Sequence, residues 1–290
     1  MKMTRILIFL LSTTFLLTAL TSQDIKLPKP FKNNFKFIPS GLAKLDNDIL
    51  SVQSFYILDH EVTNSEYQAF LKDTKEGNTL TESKLIEGNW SAEFPYQMDN
   101  YSKYYYTHPA YAQYPVVNVT YIGAMHYCTW LETKINSALN GKGKVQVRLP
   151  FHAELIRAAV GDSLNKNFAW NGNYLRDREK GHIMCNFSMI PQEQITKDSA
   201  GELIIRKDHS VSMSEITGLD ILAPSKSYFP SEFGVYNLNG NAAEMTNETG
   251  IAVGGSWHSY GYDVRIQSRM MYEGSSTKVG FRPVFTIFSN

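Results

Sequence analysis

The sequence predicts an α+β domain with two central helices set among short strands and long loops. Three observations predict it. Apolar residues recur at helical spacing in few stretches, the longest over Tyr121–Asn136 and Phe151–Val160. From Gly161 onward the chain is turns, Gly, Asn and short strand-like runs, with no further long helix. Aromatic residues reach 13%, with 17 Tyr and 16 Phe, which favours short strands and ring-filled loops over a helical bundle.

The elements follow in order. Met1–Ser22 has Lys2 and Arg5 at its start, an apolar run Ile6–Leu20, and small residues at its end, the pattern of a cleaved secretory signal peptide. Its apolar run is shorter than the roughly 20 residues a membrane helix needs, so a mature chain is expected to start near Gln23 with no transmembrane span. Residues 23–34 read as a linker, rich in Pro and Lys over Lys26–Asn34, and 35–290 as the domain. Phe35–Pro39 and Ser54–Leu58 are expected strands. Thr63 with Glu66 three residues on is a capping box, followed by Tyr67, Phe70 and Leu71 at helical spacing. Leu80–Pro115 is aromatic and irregular, a long loop pinned by buried rings. Pro115–Thr120 reads as a strand leading to the cap of the Tyr121–Asn136 helix. Val145–Leu149 reads as a strand before Phe151–Val160, which Gly161 closes. Gln192–Leu219 is polar and resembles an insertion.

Composition narrows the function classes. With 28 Lys+Arg against 28 Asp+Glu the net charge is zero, and no nucleic-acid partner is indicated. The two cysteines, Cys128 and Cys185, make neither a disulfide framework nor a four-cysteine zinc site. The seven histidines show no metal-binding spacing, and a lone His258 is more often a hydrogen-bonded residue than a ligand.

Eight segments then fall in a fixed order: Phe37–Gly41, Glu61–Tyr67, Pro115–Tyr121, Ala124–Leu131, Arg148–Glu154, Phe233–Glu244, Gly254–Trp257 and Gly280–Arg282. Together they resemble the formylglycine-generating enzyme (sulfatase-modifying factor) family over roughly residues 35–285. The resemblance implies that family's fold, a C-type-lectin-like variant with little regular secondary structure. Tyr104–Tyr114 and Gly172–Gly181 are further similar to a gliding-motility and type IX secretion lipoprotein branch in Bacteroidota. That likeness implies a structural or assembly role at the cell envelope, although the lipid-bearing cysteine of that branch is absent from this sequence.

The resemblance also implies where chemistry belongs. Oxidase members hold copper on two cysteines shortly after Gly-Gly-Ser, and those positions fall here on Ser259 and Val264. Soft thiolates suit Cu(I), and neither residue replaces one, so no copper is expected and no catalytic residue is assigned. The loop's Trp257, His258, Tyr260 and Tyr262, with Arg269, are expected to form a binding surface for an envelope protein or a glycan. The alternative is a metal-dependent oxidoreductase using the same pocket through His258 and Ser259. A structural Ca²⁺ is implied at Asn237, Gly240, Ala242 and Glu244, with a second site starting at Asn186-Phe187. Arg269 and Arg282 match family arginines near the pocket, where structural ion pairing is their plainer role. Cys128, whose family disulfide partner position is Pro283, is expected to be a free buried thiol.

Overall fold

The computed structural model describes residues 26–29, 31–74, 77–93, 99–189, 195–205, 211–212 and 221–288. The signal segment Met1–Ser22 and most of the 192–219 insertion lie outside the described residues.

The N-terminal half builds a four-stranded sheet and the helices that cover it. After a single helical turn, α1 (Phe31–Asn34), come β1 (Phe35–Ile38), a hairpin of β2 (Gly41–Leu45) and β3 (Asp48–Val52), and β4 (Phe55–Leu58). β4 runs antiparallel to β1 with Phe35 opposite Leu58. The sheet is completed by β5 (Lys144–Arg148) and, between β4 and β5, by β14 (Val284–Phe288), giving the order β1-β4-β14-β5. Both faces are covered, which the period-2 alternation of side chains requires. On β14, Phe285 packs into the cluster that holds Leu131 and Ile135 of α6 (Tyr121–Leu139). Its neighbour Val284 packs into the cluster that holds Leu155 and Ala159 of α7 (His152–Val160).

The helices form where their caps direct. α2 (Asn64–Asp73) starts at Thr63, whose Oγ1 accepts from Glu66 N–H at 3.2 Å while Glu66 Oε2 accepts from Thr63 N–H at 2.9 Å. Thr120 caps α6 by accepting from Gly123 N–H at 3.0 Å, and Asn140 ends it in the left-handed region, three residues later than the apolar spacing alone indicates. At α7 only half of a box exists: Glu154 accepts from Phe151 N–H, and the Phe151 side chain has no oxygen to return the bond. α2 and α6 meet through rings, with Tyr67 stacked on Tyr127 at 5.9 Å and Phe281 edge-on to Tyr127 at 5.3 Å.

The aromatic stretch, expected to be a long loop, holds three short helices, α3 (Asn78–Glu82), α4 (Asn89–Glu93) and α5 (Asp99–Tyr104). Of its described rings Trp90, Tyr105 and Tyr106 are buried, whereas Tyr104 is exposed; Phe94 and Tyr96 lie outside the described residues. Trp90 donates from Nε1 to Tyr106 Oη at 3.0 Å, and Tyr105 donates its hydroxyl to Pro115 O at 2.7 Å. The strand expected over Pro115–Thr120 does not form. Pro115 makes an isolated bridge to Thr63, and Asn118 turns the chain at φ 60°. Val116, Val117 and Val119 are buried against other elements instead.

Downstream, β6 (Ser188–Met189) pairs with β9 (Val211–Ser212), and β7 (Ile195–Lys197) with β8 (Leu203–Ile205). The second four-stranded sheet has the order β12-β11-β10-β13, from β10 (Ala243–Met245), β11 (Ile251–Val253), β12 (Arg269–Met271) and β13 (Val279–Gly280). It carries the two loops on which the site depends.

Candidate functional site

The first loop, residues 237–244, is folded around a buried carboxylate from the other end of the chain. Asn237, Gly240 and Asn241 all have positive φ, which Asn and Gly tolerate best. At Gly240 a Cβ would lie 2.1 Å from Asn186 O, so no larger residue fits. Glu61, fully buried in the segment leading to α2, accepts from Asn237 Nδ2 at 2.9 Å, from Asn241 Nδ2 at 3.0 Å and from Ala242 N–H at 3.0 Å. Burial pushes its carboxyl up to about 8; Asn237 and the Arg282 charge pull the other way, and Glu244 adds to the rise. Asn241 in turn accepts from Ala223 N–H at 2.8 Å and from Asn186 Nδ2 at 3.2 Å.

Glu244 faces a cation of the protein's own. Arg282 Nε donates to Glu244 Oε2 at 2.8 Å and Nη2 to Oε1 at 2.5 Å, and neither side chain meets solvent. Arg282 also donates to Leu58 O and Tyr236 O. Burial pushes the Glu244 carboxyl up, and the guanidinium pulls it back. Both Glu244 oxygens are therefore engaged in a bidentate pair. Of the expected calcium set, the side-chain oxygen without a partner is Asn237 Oδ1, which is buried. Ca²⁺ takes six to eight oxygen ligands. As placed, with a guanidinium on its one carboxylate, the set Asn237, Gly240, Ala242 and Glu244 does not fit that ion, and among the described residues no three acidic, His or Cys side chains converge on a metal-sized space. Asn186, expected to open a second site, donates from Nδ2 to Ile221 O and Asn241 Oδ1.

The second loop, residues 254–264, follows β11. Gly254 and Gly255 both have positive φ, and a Cβ at Gly255 would meet Asp263 O at 2.6 Å, so two glycines let the loop close on itself. The Glu61-anchored loop holds it, through Gly240 N–H to Gly254 O at 2.8 Å and Trp257 N–H to Asn241 O at 2.7 Å. Trp257 is a correction to the expected surface: it is 4% exposed and donates from Nε1 to Thr277 O at 3.2 Å, an anchor of the main core. His258 and Tyr260 are half-buried, whereas Tyr262 and Arg269 are exposed. Arg269 pairs with Asp46 at 3.0 Å.

The two residues at the expected cysteine positions part company. Ser259 lines a cavity of about 460 Å³ with His258, Tyr260, Asp263, Arg269 and Lys278. Its Oγ accepts from Ser256 N–H at 3.0 Å and lies 3.2 Å from Ser256 Oγ. Val264 is fully buried and packs with Phe168, Trp170 and Phe187 behind the loop. The cavity thus offers a hydroxyl, charges of both signs and the Met270 thioether, and no thiol. Cys128 and Cys185 are free and buried, and burial pushes both thiols far above the range in which thiolates form. Asp263 and Lys278 escaped sequence reading because they stand outside the quoted motifs.

The two sheets, the three capped helices and the glycine-closed loop define an α+β chain of the formylglycine-generating fold. The sulfatase-modifying factor enzyme 1-like domain family matches residues 35–287, and the chain belongs to that family. It is 26% identical over 225 residues to the formylglycine-generating enzyme of Bos taurus and 25% identical over 225 residues to that of Mus musculus. Each alignment covers 69% of this chain and 50% of the relative, so the chain spans about half the length of the curated relatives it matches. The structure of PvdO from Pseudomonas aeruginosa superposes with a TM-score of 0.54 at 18% identity, covering 87% of this chain and 93% of that one. CarF superposes with a TM-score of 0.54 at 16% identity, over 87% and 97% of the two chains. At those identities the likeness shows the fold alone.

Proposed function

We propose that this chain is an exported, non-catalytic member of the family that binds an envelope protein or a glycan through the 258–269 face. One observation carries the reading. Where the family resemblance places a copper-binding cysteine pair, the chain has Ser259, hydrogen-bonded within its own loop, and Val264, buried. Formylglycine formation by that route needs a thiolate pair at the cavity, and both thiols of this sequence are buried elsewhere. The Met1–Ser22 pattern supports export to the periplasm or envelope. The likeness of Tyr104–Tyr114 and Gly172–Gly181 to the gliding-motility branch supports a role in motility or type IX secretion. Among the described residues no helix is long and apolar enough to cross a membrane.

Two measurements test this. Purified protein given copper, oxygen and a sulfatase-derived cysteine peptide leaves the peptide mass unchanged; conversion to the aldehyde refutes the reading. Capture of an identified envelope component is lost in Tyr262→Ala and Tyr260→Ala with the fold intact; undiminished capture moves the interface elsewhere. An oxidoreductase using another metal would draw on His258 and Ser259, and iron or copper released by His258→Ala would carry that reading instead.

A further inference from the structure

We infer that a second, calcium-independent site on this chain takes a neutral saccharide, in the amide-lined cleft between the 162–173 segment and the 265–267 strand-connecting turn. Two adjoining depressions share Leu164 and Asn165 in their walls. One, of about 240 Å³, also takes in Asn167, Arg265 and Gln267. The other, of about 640 Å³, takes in Asn171 and Asn173. The larger lies within the roughly 300–1,000 Å³ of small-molecule sites. Five carboxamides in these walls supply donors and acceptors side by side. Paired donors and acceptors suit hydroxyl groups, each of which both gives and accepts.

The walls carry charges of both signs, Lys44, Lys166 and Arg265 beside Asp46 and Asp162. Asp46 pairs with Arg269 at 3.0 Å and Asp162 with Arg157 at 2.6 Å. Arg265 donates from Nε to Tyr262 O and lies 3.4 Å above the Tyr262 ring. What the cleft presents is thus amide chemistry without a dominant charge, and its ligand is neutral. On the rim, Tyr262 and Tyr174 are exposed rings, the latter under Arg178 at 3.7 Å, of the kind that packs on the C–H face of a sugar.

Gln267 adds an independent sign. Its Nε2 donates to Lys166 O at 2.8 Å, which fixes the amide's orientation because a carbonyl only accepts. Its Oε1 is then left shielded from water without a donor. A buried acceptor left unpaired costs about 1–3 kcal/mol, and a ligand hydroxyl supplies the missing bond only where the Gln267 amide, part of the cleft wall, turns its oxygen outward. The frame behind is fixed: Ile266 N–H donates to Asn167 O at 3.0 Å, Ala169 N–H to Asn239 Oδ1 at 2.8 Å, and Asn239 Nδ2 to Val264 O at 2.6 Å. The cleft borders the 258–269 face and shares Arg265 and Gln267 with it, while Asn165, Asn167, Asn171 and Asn173 lie outside that face, so the Asn165 variant tests the cleft independently of that reading.

The probes are maltose, cellobiose, chitobiose and mannobiose, added to the whole protein in EDTA and followed by saturation-transfer NMR and calorimetry. At least one is expected to bind, about tenfold more weakly in Gln267→Met and in Asn165→Ala, and equally in Met271→Ala, which alters an exposed residue outside the cleft walls. Asn165 is exposed, so its variant keeps the test valid where Gln267→Met loosens the turn. Saturation transfer from none of the four, or binding unchanged in both cleft variants, overturns the inference.

Discussion

Replacing Arg282 by Met breaks an ion pair whose two side chains are 0% and 3% exposed. The substitution removes two charge-assisted bonds to Glu244, at 2.8 and 2.5 Å, and the donors of Leu58 O and Tyr236 O. Met approximates the volume of the arginine stem, so the main loss is electrostatic and not a cavity. Breaking a buried pair from one side costs about 3–5 kcal/mol, because the partner is left charged without compensation. With a urea slope of about 3 kcal/mol/M, the unfolding midpoint falls by more than about 1 M. The orphaned Glu244 recovers part of the loss by taking a proton. Its folded pKa rises above its unfolded value, so the native variant binds the extra proton and its stability falls as pH rises through that window. The deficit is therefore smaller at pH 5 than at pH 8. Adding Glu244→Gln removes the stranded charge and restores stability relative to Arg282→Met alone. Equilibrium unfolding of the three variants at both pH values checks this. A cost under about 1 kcal/mol for Arg282→Met, or a double variant less stable than the single one, refutes the argument.

The same pair makes a calcium prediction: chelation leaves the melting temperature unchanged, and a rise of several degrees in millimolar Ca²⁺ would show that Glu244 exchanges Arg282 for the ion. Glu61, pushed up to about 8 by burial, holds a proton in the folded state across pH values where the unfolded carboxyl has lost it. Stability relative to Glu61→Gln accordingly falls as pH rises from about 4.5 to about 8, by at most about 5 kcal/mol; a flat difference across that window in urea titrations would contradict it. Neither Cys128 nor Cys185 reacts with a thiol reagent in the native protein and both react in urea, which mass spectrometry reads directly. Labelling of the native state at the rate of an exposed thiol would refute their burial.

What the sequence made legible was local. Thr63 and Glu66 announce α2 because both halves of the capping box lie within four residues, and Thr120 announces α6 as a lone N-cap before an apolar run. Pro115–Thr120 misled because three buried valines look like a strand whatever buries them. Here they are side chains on an extended segment turned by Asn118, without a ladder. Trp257 looked like an available ring for the converse reason: its partner, Thr277 O, is 20 residues away. The Glu61 network was invisible on the same physical grounds. Its donors come from Asn237, Asn241 and Ala242, 176 to 181 residues downstream, and nothing near Glu61 marks it as buried. Ser259 and Val264 could be placed by motif spacing, but only packing separates a cavity wall from a core residue.

The position of β14 has a consequence for how the chain is made. Val284–Phe288 is the inner strand that joins β4 to β5, so the first sheet exists as two unconnected edges until these residues arrive. A ribosome that has delivered everything before Val284 carries a nascent chain whose two halves have no common strand. Pairing across more than 220 residues, as between Ile57 and Val284, is also intrinsically slow. Closure of this sheet therefore waits on residues 284–288, and the β1–β4 pair and β5 stay apart until that strand has been made.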